Sequence, residues 1–552
     1  MRNIFRAAAV AAIALSAAGC GAQRGDACGA QPAREGGEQP ARAGEAAPAA
    51  MHYTLDFAPE EHYIDVSLLW EPQGGAQGVR RAKGAPGKGA GCRRAAAMGA
   101  CGAAGAKGAA AAGADSGELT LTLPAWAPGY YIIVDYAKYL TGFEACDTLG
   151  APLRWRKQGK GDWVVENHGE PARIKYRIYA DERSVAECRV APDGAFVPGN
   201  GVFMYADGET DQSVDVQINM PEYWSTVSTA LEPDPQGIYT APDFDVLYDS
   251  PFFCGNQTLR RFEQDGHVYE FALETPEGFD DSPMASDLLK AIKAATAMFG
   301  DIPYDRYLFL LMGRGRGGLE HQCCQADYTS GSFVYPTREA YLDELMFFVH
   351  EYFHNYNVKA IRPVELGPFD YTRENFTPSL WVSEGFTVYY ESRLLQKAGI
   401  ISEQDHLDFI TPYIRQIETN EGRKHMSLRQ SSYDIWLNFF NFLDNSDSRR
   451  ISYYVKGPIL GLLFDQWYRA AGRSLDDLMT LLYERFHKGL GRGFGEEEFW
   501  QAADEIRPGT AEMLRRWVDT TDEIDYEAVL SPAGITLDRS TWKMTAPAGG
   551  VH

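Results

Sequence analysis

The chain has 552 residues, 45% of them hydrophobic and 12% aromatic, enough to bury large cores and to form two or three domains. Its 52 basic residues stand against 76 acidic ones, a formal net charge of −24, which excludes nucleic acid and anionic membrane surfaces as partners for the body of the protein. The nine cysteines show no regular framework spacing, so a disulfide is open in an oxidising compartment but its pairing is not specified.

The first twenty residues, MRNIFRAAAVAAIALSAAGC, have a basic start, an apolar middle and small residues running into Cys20. This is a secretory signal that takes no part in the fold. The segment resembles a bacterial lipoprotein signal, in which the cysteine is lipidated and becomes the mature amino terminus; ordinary cleavage at an Ala-x-Ala-like site is the alternative. On the lipoprotein reading the protein is exported to a bacterial cell envelope, periplasmic or at the surface, and meets a membrane only through a lipid anchor at Cys20. Residues 21–50, rich in Ala, Gly and Pro, then read as a flexible tether.

Residues 51–71 and 118–255 carry short alternating runs such as HYIDVSLLW, RIKYRIYA and SVDVQINM, separated by Gly, Pro and Asp, which predict an antiparallel β-domain. Between them, residues 72–117 are low in complexity and hold Arg80, Arg81, Lys83, Lys88, Arg93, Arg94 and Lys107 with almost no large apolar residue, the composition of a disordered insertion between two strands. A basic tract invites an anionic ligand, but export makes nucleic acid a poor candidate.

From residue 284 the pattern turns helical. In LMFFVHEYFHNYNV (345–358), His350 and His354 are one helical turn apart, so both imidazoles point the same way and supply two corners of a zinc tetrahedron. Glu351 projects to the same side, where it can take a proton from an activated water and pass it to a leaving amine. Downstream, SLWVSEGFTVYYESRLL (379–395) predicts a second amphipathic helix with Glu384 in apolar company, costly to bury unless it ligates a metal. Glu384 is the third candidate ligand. Glu391 lies nearly on the same face and is either an outer hydrogen-bond partner of a zinc histidine or a solvated carboxylate. Cys323 and Cys324 read as structural, since a thiolate in the fourth position would displace the water that hydrolysis needs.

The stretches HEYFHNYNVKAIRP and ELGPFDYTRENFTPSLWVSEGFTVYYE resemble the glycyl-aminopeptidase family of gluzincin zinc peptidases, metallopeptidase family 61, and the resemblance extends upstream through GRGGLEH (315–321), YRIYADERSV (176–185) and PAWAPGYYIIVDYAKYL (124–140). It implies a zinc-dependent aminopeptidase that removes a small first residue, Gly or Ala foremost, from peptide substrates. In GGLEH it implies that Glu320 holds the substrate's free α-ammonium, a charge-assisted contact. His321 is the adjoining substrate-binding candidate; it stands where the large aminopeptidases have asparagine. In ISYYVKGPILGLLFDQW (451–467) it implies that Tyr454 donates a hydrogen bond to the oxyanion, with Tyr453 as the competing assignment and an ordinary aromatic core helix as the plain reading.

The expected fold is therefore α+β and multidomain: a β-domain over 51–255, a thermolysin-like zinc catalytic domain over 256–400 and a mainly helical domain over 401–552. Many family members carry a further PDZ domain, for which no length is expected here. Two rival functions stay open on sequence: a zinc endopeptidase, which needs no amine anchor, and a non-catalytic surface lipoprotein that binds peptides or glycans.

Overall fold

The computed structural model describes residues 50–72, 117–438 and 448–547. The leader with Cys20, nearly all of the tether and nearly all of the basic insertion lie outside the described residues. Among those that are described, no helix is long and apolar enough to cross a membrane.

The amino-terminal part is built from three sheets. The largest has six strands in the order Ile238–Ala241, Val214–Asn219, Met51–Ala58, Tyr63–Trp70, Ala172–Tyr179 and Leu140–Asp147. Its pairs are antiparallel except Met51–Ala58 with Val214–Asn219, which run parallel. Period-two alternation decides which face is buried: Ile64, Val66, Leu68 and Trp70 all turn inward from one strand. Two four-stranded sheets, one containing Leu119–Thr122 and the other Gly194–Val197, complete this core.

A five-stranded sheet opens the catalytic part, in the order Thr258–Gln264, His267–Leu273, Arg306–Met312, Cys324–Tyr328 and Gly318–Glu320. The strands His267–Leu273 and Arg306–Met312 are parallel, and the helix Met284–Phe299 makes the crossover between them. Gly318–Glu320 is the antiparallel edge strand, so one side of its backbone is left for a ligand. Behind the sheet stand the helices Arg338–Phe353 and Phe386–Lys397, followed by a helical region that includes Glu403–Thr419 and Tyr453–Arg469. One apolar core runs from Phe271 and Phe309 in the sheet through Phe353, Phe386 and Phe464 to Trp517. The catalytic part and the helical region therefore share a core, and the helix Tyr453–Arg469 is held against the catalytic helices by apolar burial.

Candidate active site

The helix Arg338–Phe353 starts where the Thr337 hydroxyl accepts the Ala340 N–H, and it ends with His354 as its C-cap. His350 and His354 thus occupy consecutive turns at the buried end, with their rings 4.6 Å apart. Each ring is fixed from behind. His350 Nδ1 lies 2.7 Å from Glu391 Oε1, and His354 Nδ1 lies 2.7 Å from the Asn357 carbonyl. Those acceptors place the proton of each ring on Nδ1 and leave both Nε2 lone pairs pointing forward. The two Nε2 atoms are 3.0 Å apart, and Glu384 Oε2 lies 3.5 and 3.3 Å from them.

Three ligand atoms converging this closely on one point are the donor set of a cation. A tetrahedral zinc with nitrogen and oxygen ligands at about 2.0–2.1 Å sets its ligand atoms roughly 3.3 Å apart, so the residues fit the metal. Burial pushes the Glu384 carboxyl up, yet the facing histidines overcome it and hold the group below its ordinary value.

Glu384 sits on a single π-helical turn, Trp381–Gly385, that leads into the helix Phe386–Lys397. The widened turn replaces the plain helix start expected over residues 379–395, and such turns recur at functional sites. Asn357 explains how it is held: its Nδ2 donates to the Val382 and Ser383 carbonyls at 2.8 and 3.0 Å, while its own carbonyl accepts from His354. One asparagine therefore ties the histidine helix to the Glu384 turn. Sequence reasoning missed it, although Asn357 stands three residues after His354 inside the quoted motif.

Glu351 is buried beside the histidines. Burial raises its carboxyl above the usual range, with His350 and His354 opposing and Asp327 and Glu320 adding to the rise. Its seat is open only because residue 318 is glycine: a Cβ there would stand 2.4 Å from Glu351 Oε1. Ligand atoms of Glu320, Glu351 and His354 lie within 4.8 Å of one another, so the edge strand delivers Glu320 to the same cleft.

A cleft of about 710 Å³ is lined by Glu320, His350, Glu351, His354, Glu384 and Tyr454. Tyr454 reaches it through a contact between glycines: a Cβ on Gly457 would meet the Gly385 Cα at 2.5 Å, so the helix Tyr453–Arg469 lies directly on the Glu384 turn. Of the two adjacent phenols, Tyr454 lines the cleft, whereas Tyr453 is fully buried behind it.

His321 is placed differently. It follows Glu320 at the end of an edge strand, where neighbouring side chains face opposite ways, and it lines a separate cavity of about 170 Å³ instead of the cleft. Its Nδ1 lies 3.1 Å from Asp249 Oδ1, which also accepts Lys359 Nζ at 2.8 Å. Burial works against the Asp249 charge, but Lys359 and His321 hold the carboxyl down at about 2. The cysteines take no part: Cys146, Cys188, Cys254 and Cys324 are free thiols, and no sulfur joins the ligand cluster among the described residues.

Fold and cleft together define a metalloaminopeptidase. The chain belongs to the M61 glycyl aminopeptidase family: residues 52–256 match the model of the Peptidase M61 N-terminal domain, and residues 343–460 match that of the M61 glycyl aminopeptidase. Among solved structures it resembles an aminopeptidase N family protein from Idiomarina loihiensis, with 23% identity and a TM-score of 0.75 over 88% of this chain and 79% of that one. Weaker likeness extends to aminopeptidase A of Legionella pneumophila in complex with aspartic acid, at 13% identity and a TM-score of 0.49 over 86% of this chain and 49% of that one. An M1 zinc metallopeptidase from Deinococcus radiodurans gives 14% identity and a TM-score of 0.47 over 86% of this chain and 94% of that one. No curated protein matches the chain.

Proposed function

We propose that this protein is a zinc-dependent aminopeptidase that hydrolyses the first peptide bond of substrates beginning with a small residue, Gly or Ala. The observation that carries the reading is the meeting, in one cleft, of three converging ligand atoms, a buried carboxyl and the edge-strand Glu320. Zinc, held by His350 Nε2, His354 Nε2 and Glu384, would supply a Lewis acid for the scissile carbonyl and a water acidified toward neutral pH.

The remaining work falls to the chain. Glu351 takes a proton from the attacking water onto its carboxylate and delivers it to the departing amine nitrogen, a shuttle favoured by a carboxyl already raised by burial. The Tyr454 hydroxyl donates a hydrogen bond to the carbonyl oxygen as that oxygen gains charge, an interaction stronger in the transition state than in the substrate. Glu320 holds the α-ammonium, so the chain's first peptide bond is the one presented to Glu351. Glu391 and Asn357 keep the imidazoles aimed.

The test is Glu351→Gln, which preserves size and removes the base. Zinc content measured by metal analysis should be unchanged, while hydrolysis of glycine and alanine anilides falls about 1,000-fold, within the usual range for loss of a general base. Normal turnover by that variant would sink the assignment. Equal cleavage of free and amino-terminally acetylated peptides would instead favour an endopeptidase.

A further inference from the structure

The 170 Å³ cavity that takes His321 is a neighbour of the cleft. Gly129 and Glu320 line both spaces. Gly129 has φ +86°, and a Cβ on it would lie 2.6 Å from Glu320 Oε1, so the loop that carries it is pressed against the proposed amine anchor. Two residues on, Tyr131 lines the cavity, is 2% exposed and stands within electrostatic reach of both Glu320 and Glu384. Although it comes from the amino-terminal part of the chain, Tyr131 packs into the catalytic core. Its ring meets Trp436 edge to face at 5.9 Å, and Trp436 in turn meets Trp126 at 5.0 Å. A ring backed in this way cannot easily swing aside.

A substrate with its ammonium at Glu320 and its scissile carbonyl at the His350–His354–Glu384 cluster has its first Cα between those two points. Tyr453 and Tyr454 share Tyr131's reach to both carboxylates, but of the three rings Tyr131 is the one that lines the neighbouring cavity. Resting on the aminopeptidase reading above, we propose that Tyr131 sets the size limit on the first side chain, and that the cavity it lines is a specificity chamber which the ring closes to substrate. With the ring in place the first residue keeps room for a hydrogen or a methyl. Without it, a leucine or methionine side chain enters the chamber, whose lining combines Ala127, Leu319, Leu366 and Phe369 with the Asp249–Lys359–His321 group.

The experiment compares Tyr131→Ala and Tyr131→Phe with wild type, all zinc-loaded, on the p-nitroanilides of Gly, Ala, Leu and Met, together with calorimetric binding of leucinamide. Tyr131→Ala should raise the Leu-to-Gly ratio of kcat/KM at least tenfold, within the range that one or two methylenes command in a pocket. It should also bind leucinamide at least tenfold more tightly than wild type. Tyr131→Phe keeps the ring and should keep the wild-type ratio. An unchanged ratio and unchanged leucinamide binding in Tyr131→Ala would overturn the proposal, as would a shift of the ratio in Tyr131→Phe as large as in Tyr131→Ala. Should the alanine variant lose its cooperative melt, Tyr131→Leu makes the same comparison with more of the core filled. Wild type inactive on every anilide would count against the aminopeptidase reading, and leucinamide binding would still decide the chamber.

Discussion

His350 and His354 on one side of Glu320 and His321 on the other are all buried, and each places a ring nitrogen against an oxygen acceptor. They differ in what the other nitrogen meets. In the first pair, both Nε2 atoms converge on the Glu384 carboxylate, so three ligand atoms face one point. At His321 the balance is already closed: Asp249 is shared with Lys359, and the His321 Nε2 is buried alone. A histidine oriented by a carboxylate is therefore a frequent piece of buried structure, and convergence of free nitrogens is what marks a metal site.

The largest expected effect separates the two sites outright. His354→Ala removes one corner of the tetrahedron, so zinc should be lost on dialysis and hydrolysis should fall to background. His321→Ala should keep full zinc occupancy by metal analysis. Zinc loss in both variants would erase the distinction.

Next in size is the charge pair on the His321 side. Lys359→Met leaves the partly buried Asp249 carboxylate, its side chain 23% exposed, with His321 and the Gln322 N–H as its partners. Breaking a buried pair costs about 3–5 kcal/mol, and the two remaining donors bring the expectation to about 2–3 kcal/mol. Denaturant unfolding would measure the loss, and zinc content should not change. A variant as stable as wild type would show that the pair adds nothing net.

On the metal side the outer partner matters less than the ligand. Glu391→Gln replaces the carboxylate behind His350 with a neutral amide, which typically weakens metal binding about 10–100-fold. Competition with a chelator reads this directly. An affinity within twofold of wild type would make Glu391 a bystander.

What could be read from the sequence follows the range of each interaction. His350, Glu351 and His354 share two turns of one helix, so spacing alone put them on one face. Glu384 was legible because a carboxylate in an apolar run needs a reason to be buried. The π-turn that carries it was not, since its widening depends on Asn357 donating to Val382 and Ser383 across some 25 residues. Strand alternation, which turns consecutive side chains to opposite sides, places Glu320 on the cleft and His321 on the neighbouring cavity, a separation that the motif alone does not display. Asp249 and Lys359 are 110 residues apart in sequence, and Tyr131 reaches the catalytic core from the far end of the chain, so no local pattern announces either. The alternating strands of the amino-terminal part were legible for the opposite reason, because each strand records which of its faces is buried.

A fourth buried histidine, His406, sharpens the comparison through pH. His406 has neither a metal-facing geometry nor a charged partner: its Nδ1 lies 2.8 Å from the Ser392 hydroxyl, and its Nε2 has no partner. Burial, with Arg393 adding a smaller push, depresses its pKa to about 3, against about 6.5 for a free histidine. Between those values the unfolded chain binds a proton that the folded chain refuses, so stability must fall as pH is lowered. The contribution is complete above pH about 6.5, shrinks steadily below it and is gone near pH 3. At pH 5.5 the loss amounts to about 1.4 kcal/mol, one pH unit of one proton. His406→Asn retains a short polar group toward Ser392 and does not titrate, so the difference in unfolding free energy between wild type and variant should change by that amount from pH 7.5 to 5.5, favouring the variant at low pH. Parallel stability profiles would mean that His406 takes up its proton as readily in the fold as in the unfolded chain.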